Sequence, residues 1–145
     1  MAYQGYALAV LAAVLWGLTY CLDERVLAGL SVFKLYFLHC VCGALVAGAI
    51  LLVQGTSPAG LFGFDTAKVS LPLVAVTLAT ATTAALAILG SIQLLGAGRS
   101  AVLEISYPFF VAVFSVLLFQ GQLQLPVVVG GIFIFIGSAI IVLAT

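Results

Sequence analysis

The chain has 145 residues, 66% of them hydrophobic and 6% charged, with four Lys or Arg, four Asp or Glu and a formal net charge of zero. Soluble domains carry about 25% charged residues, so this composition excludes a water-solvated surface and leaves the bilayer as the solvent, in line with a mean hydropathy of +1.41. Zero net charge excludes a basic nucleic-acid surface, and the length allows one transmembrane domain, 1–145.

In chain order, the first predicted span covers residues 6–22. It has no Lys or Arg before it, and Asp23-Glu24-Arg25 after it reads as an acidic loop, so the N-terminus reads as a membrane span rather than a cleavable signal peptide. The second span covers 32–53 and ends at Gln54-Gly55-Thr56-Ser57-Pro58, where glycine and proline break the helix. The longest connection runs to Ser70. The third span, 71–95, is rich in Ala and Thr, and Gly96-Ala97-Gly98-Arg99 is the next break. The fourth covers 100–119. A polar turn, Gln120-Gly121-Gln122-Leu123-Gln124, precedes Pro126, which opens the fifth span to residue 144. About 20 apolar residues are needed to cross the hydrocarbon core as a helix. Continuous apolar runs such as residues 44–53 do not alternate as the strands of a membrane barrel would. The expected fold is therefore an all-α membrane protein with five transmembrane helices.

Small residues predict where helices meet. Gly130 and Gly137 are seven apart, as are Gly131 and Ser138. Seven residues make about two turns, so each pair lies on one face where a neighbouring helix approaches closely. Packing within the chain and a subunit interface both fit this pattern. Five spans place the termini on opposite sides. Arg25 and Arg99, with Lys34 nearby, fall on one side and Lys68 on the other, which favours an external N-terminus and an internal C-terminus by a narrow margin.

Chemistry-bearing residues are few. Cys21, Cys40 and Cys42 lie in or beside apolar stretches and read as small buried hydrophobes rather than a disulfide framework. Neither Cys40-Val41-Cys42 nor the lone His39 has metal-site spacing. No nucleophile elbow, zinc-protease, phosphate-loop or dinucleotide motif is present, so the chain reads as a non-enzyme without a cofactor or metal. Glu104 stands out. It lies about six residues, roughly 9 Å, inside its span, where an acid must face protein or a wet cavity. Pro108 has no N–H for the Glu104 carbonyl and marks a helix break, and Tyr107 follows three residues on. The structural alternative for Glu104 is an ion pair with Arg99 or Lys34, or a hydrogen bond to a hydroxyl. Trp16 and Tyr20, four apart, present aromatic faces suited to organic or cationic ligands; simple packing or interfacial anchoring is the alternative. Lys34 reads as a snorkelling side chain or a partner of Glu104 or substrate, and His39 as a proton relay or a satisfied interhelical histidine.

A family resemblance rests on several segments together. The first span contains Leu15-Trp16-Gly17-Leu18-Thr19-Tyr20, and the fourth contains Arg99-Ser100-Ala101-Val102-Leu103-Glu104-Ile105-Ser106-Tyr107-Pro108-Phe109-Phe110. Leu118-Phe119-Gln120-Gly121-Gln122 is followed by Val129-Gly130-Gly131-Ile132-Phe133-Ile134-Phe135-Ile136-Gly137. In order and spacing, nearly the whole chain resembles the EamA-type repeat of the drug/metabolite transporter superfamily. Two positions depart from the pattern: Gln122 stands where the family usually has glutamate, and His39 stands near a usual arginine. The resemblance implies a carrier of ten helices in two inverted five-helix repeats, of which this chain supplies one. It is also similar, more distantly, to the four-helix small multidrug resistance transporters, antiparallel dimers with an acid in the first helix. The first span here, 6–22, has none.

The expectation is therefore a small transporter subunit in a multi-pass cell membrane, that of a bacterial or archaeal inner membrane. Its partners are the lipid bilayer, a small-molecule organic metabolite or drug, and a second copy in a homodimer, plausibly antiparallel. Alternating access would be coupled to protons, as in an antiporter. The alternatives are a dual-topology dimeric channel, for which Thr77, Thr80, Thr82 and Thr83 offer a partial polar stripe, and a non-transporting membrane assembly protein.

Overall fold

In hydrocarbon, a backbone must satisfy its own hydrogen bonds, and helices do so locally. The computed structural model describes residues 2–63, 69–122 and 125–143, and these contain helices and no strand. In order they are α1 (Ala2–Leu27), α2 (Val32–Val53), a short 3-10 helix (Pro58–Phe62), α3 (Leu71–Leu95), α4 (Ala97–Glu104), α5 (Tyr107–Phe119) and α6 (Leu125–Leu143). Four stretches are long and apolar enough to cross a membrane: Tyr3–Leu27, Val32–Val53, Leu71–Leu95 and Ala97–Phe119, the last joining α4 and α5. Leu125–Ile141 is a shorter apolar helix. The 19 residues of α6 rise about 28 Å, close to the roughly 30 Å of a hydrocarbon core.

Cys21, Cys40 and Cys42 are exposed rather than buried, and the helix boundaries expected from the sequence need correction in several places. The first helix does not stop at Leu22. It continues through Asp23, Glu24 and Arg25 to Leu27, because three polar residues within a helical run do not break it unless glycine or proline intervenes. The first membrane-length helix therefore does carry acids. The break predicted over residues 96–99 contracts to Gly96 alone, whose φ of +83° suits glycine. The fourth span is two helices: Pro108 sits in the first turn of α5, and Ile105-Ser106 separates it from α4. At the far end of α5, Gln120 adopts a left-handed φ of 53°, and the Gly121 N–H donates to the Ser115 carbonyl (2.8 Å). Leu123, Gln124, Lys68 and Ala144 lie outside the described residues.

The chain divides into two compact units, Met1–Arg25 with Ser91–Thr145, and Val26–Gly90. In the first, the buried residues are small or polar as much as apolar: Tyr20, Asp23, Ile92, Ala97, Ser100, Gly131 and Ser138. Large apolar side chains such as Leu11, Leu117 and Phe133 point outward. This pattern suits a protein whose solvent is lipid, since Leu gains little by leaving hydrocarbon and helices associate through close backbone approach and interhelical polar bonds. In the second unit, Leu27, Leu35 and Leu89 are buried, Ser31 caps α2, and the Tyr36 hydroxyl donates to Thr82 Oγ1 (3.3 Å), linking α2 to α3.

Candidate functional site

The first unit is organised around α4, a helix of only eight residues. Its N-terminal N–H groups have no intrahelical partner, and Glu24 from α1 supplies one: the Ala97 N–H donates to Glu24 Oε2 at 2.9 Å. Ser100 is fully buried and shares a hydrogen bond of 2.8 Å with Ser91 at the end of α3. On the α6 side, the Ser138 hydroxyl is placed between the carbonyls of Val102 (2.8 Å) and Ile134 (2.9 Å). Polar contacts thus hold α4 to α1, to the last turn of α3 and to α6. Such bonds average about 0.6 kcal/mol between membrane helices, with a maximum near 1.7.

At the other end of α4 lies Glu104, seven residues or roughly 10 Å along the axis from Ala97. The Tyr20 hydroxyl of α1 donates to Glu104 Oε2. Of the partners expected for Glu104 from the sequence, the structure supplies the hydroxyl. Tyr20 is buried, whereas Glu104 is exposed, so the phenol covers one side of the carboxylate and leaves the other open. The Trp16 ring stands edge-on to Tyr20, with centroids 5.9 Å apart at 75°. Tyr107 and Asp23 both lie within electrostatic reach of the Tyr20 hydroxyl. The site therefore gathers Trp16, Tyr20, Glu104 and Tyr107, four of the residues singled out from the sequence.

The α4–α5 break borders this cluster. Pro108 offers no N–H to the Glu104 carbonyl, the Ser106 hydroxyl donates to the Leu103 carbonyl (2.5 Å), and the Phe109 N–H donates to the Ser106 carbonyl (3.1 Å). Carboxylate, phenols and an interrupted backbone thus meet inside a membrane-length segment. The arrangement can exchange a proton at Glu104 or hold a polar or charged group there.

Lys34 and His39 are exposed on α2 and belong to the second unit. Lys34 lies in an apolar groove with Leu30, Phe33, Phe37 and Leu38. The glycine stripe separates into two faces. Gly131 and Ser138 are buried; a Cβ at Gly131 would stand 3.7 Å from the Phe109 backbone, and Ser138 bonds α4. Gly130 and Gly137 have no atom within 4 Å of such a Cβ, and their face is open.

Sequence reasoning missed Asp23 and Glu24. Both follow Tyr20 at helical spacing, three and four residues on, and that spacing was the available signal; the apparent loop concealed it.

Residues 3–143 match the EamA-like transporter family. The chain belongs to this family. No curated protein and no solved structure matches it. Membership of the EamA-like family places the chain among multi-pass membrane transporters of the drug/metabolite type, and its helices and their spacing agree with one repeat of that superfamily.

Proposed function

We propose that the chain is one subunit of a homodimeric secondary transporter that moves an organic metabolite or drug by alternating access around Glu104, with a proton as the coupling ion. The observation that carries this reading is the Tyr20–Glu104 contact at the α4–α5 break, roughly 10 Å into a membrane-length segment. Interrupted helices bearing polar groups at such depth are how many carriers build their sites, commonly where two repeats meet. In this reading the chain supplies one half of such a site and a second copy in inverted orientation supplies the other. The open Gly130–Gly137 face is a surface on which close helix contact would be possible.

The channel alternative draws no support from α3. The hydroxyls of Thr77, Thr80 and Thr83 donate to carbonyls within their own helix, at 2.8–3.0 Å, and Thr82 accepts from Tyr36. These hydroxyls do not form a stripe of free donors.

Glu104→Gln in proteoliposomes tests the proposal. The variant keeps the shape and can still accept from Tyr20 but cannot titrate. Substrate-driven proton movement is expected to vanish while insertion and assembly persist, and Glu104→Asp is expected to retain partial coupling. Unchanged proton coupling in well-folded Glu104→Gln protein would assign Glu104 to packing.

A further inference from the structure

After α1 ends at Leu27, the chain turns before α2 begins at Val32: the N–H groups of Gly29 and Leu30 both donate to the Val26 carbonyl, at 3.0 and 2.9 Å. The turn sets Leu30 beside the first turns of α2. Leu30, Phe33, Lys34, Phe37 and Leu38 have the spacing of a single helical face, and together they line an open groove of about 320 Å³. Phe33 and Phe37 are 74% and 65% exposed, so their rings are open to a further neighbour. Four of the five side chains are apolar and suit an alkyl chain. The fifth is Lys34, and none of the five is acidic, so the groove itself offers Lys34 no counter-charge. Lys34 is the third residue of a helix of membrane length, about 3 Å along the axis from its start. Helical side chains lean toward the N-terminus, so its stem runs along apolar surface and its ammonium reaches toward the headgroups. The Lys34 N–H donates to Ser31 Oγ at 3.4 Å. The N–H groups of Val32 and Phe33 have no intrahelical partner and add partial positive charge at the same end.

We propose that this groove binds one anionic phospholipid, with its phosphate on Lys34 at the start of α2 and an acyl chain along Leu30, Phe33, Phe37 and Leu38. Charge complementarity selects the occupant: a basic group above an apolar groove at the membrane surface matches an acidic headgroup above a hydrocarbon tail. A zwitterionic lipid offers the same tail, but its own ammonium competes with Lys34 for the phosphate and adds a like charge beside it. A second copy docked through the same face would cover the groove with apolar side chains and bring Lys34 no acid from that face, which leaves a charge without a partner. Lys34 thus holds a particular lipid rather than anchoring to the bilayer in general. The groove lies wholly within Val26–Gly90 and uses nothing of the Glu104 site, so it stands whether or not the chain is a carrier.

Delipidated full-length protein in dodecyl maltoside is titrated with dioleoyl phosphatidylglycerol and, separately, with dioleoyl phosphatidylcholine, and the bound lipids are counted by native mass spectrometry. One phosphatidylglycerol per chain is expected, held about fivefold more tightly than phosphatidylcholine, the effect of one lysine at an anionic headgroup. Lys34→Gln should bring the two lipids level, and Lys34→Arg should keep the preference. Arg25→Gln removes the same charge outside the groove and should leave the preference intact. Phe37→Ala should weaken both lipids together, because it shortens the wall that the acyl chain lies against. Equal affinity for the two lipids in the unaltered protein overturns the proposal, as does a preference that survives Lys34→Gln. A preference lost equally in Arg25→Gln would reduce the effect to general surface charge and overturn it too. A lipid-free dimer that Lys34→Gln or Phe37→Ala disperses would assign the groove to a second copy instead. If Lys34→Gln loses its helical circular dichroism, the two lipids compared on the unaltered protein and on Arg25→Gln decide the matter. The assay requires no turnover, so its failure leaves the carrier reading untouched, and failure of that reading leaves the lipid site standing.

Discussion

The approach of α6 to α5 at Gly131 makes a graded prediction about stability. A Cβ at this position would stand 3.7 Å from both Cα and Cβ of Phe109, an ordinary van der Waals distance. Gly131→Ala therefore adds a methyl without a clash and removes a poor helix former, a gain of up to about 1 kcal/mol. Gly131→Val carries two further methyl groups about 1.5 Å beyond that point, against backbone that cannot rotate away. Overpacking of this kind costs about 1–3 kcal/mol, or roughly 5- to 150-fold in the folding equilibrium. Gly130→Val serves as the control, because nothing lies within 4 Å of a Cβ there. The three variants are unfolded by increasing SDS in a mild detergent, followed by helical circular dichroism and by Trp16 fluorescence. The expected order of stability is Gly131→Ala above the unaltered protein, and Gly131→Val below Gly130→Val. Equal stability of the two valine variants would refute the close contact between α5 and α6.

Other outcomes follow from particular contacts. Gly96→Ala should destabilise the protein by about 1–2 kcal/mol in the same SDS titration, because it forces a non-glycine residue to positive φ and sets its Cβ 3.4 Å from Glu24 Oε1. The triple change of Thr77, Thr80 and Thr83 to Val should leave uptake intact and produce no loss of ion conductance in liposomes; a large loss of current would favour the channel. With Cys21, Cys40 and Cys42 replaced by Ser, a single cysteine at position 144 should be labelled from both sides of the membrane if the dimer is antiparallel, and labelling of every molecule from one side would exclude that arrangement.

The helical membrane class was legible in the sequence because it depends on long apolar runs and on the lipid's demand for internal hydrogen bonding. Boundaries set by glycine and proline were legible too: Val53, Leu95 and Phe119 end helices where expected. The boundary suggested by Asp23-Glu24-Arg25 is not a helix end, because charge alone does not break a helix and one emerging from hydrocarbon can carry these residues on its last turns. Pro108 signalled the division of the fourth span, but its exact position at Ile105-Ser106 depends on local hydrogen bonds. Glu104 could be singled out by its depth. That Tyr20 is its partner could not, because the register of α1 against α4 is fixed by contacts 84 residues apart in the chain. The glycine spacing predicted two faces but not which one packs within the chain; Phe109 of α5 beside Gly131 and the Ser138 bond to Val102 of α4 decide that in three dimensions.

The junction of α3 and α4 consists of one residue, Gly96, with Ser91 and Ser100 bonded to each other across it and Glu24 holding the first N–H of α4. A joint this short offers no strand of free backbone for a protease to bind and no slack into which an epitope or fluorescent protein can be inserted. Lengthening it would separate the serines and strand the Glu24 carboxylate at the same time. Reporters of orientation therefore belong in the connection that contains the 3-10 helix Pro58–Phe62, and the Gly96 end must be read by single-residue chemistry.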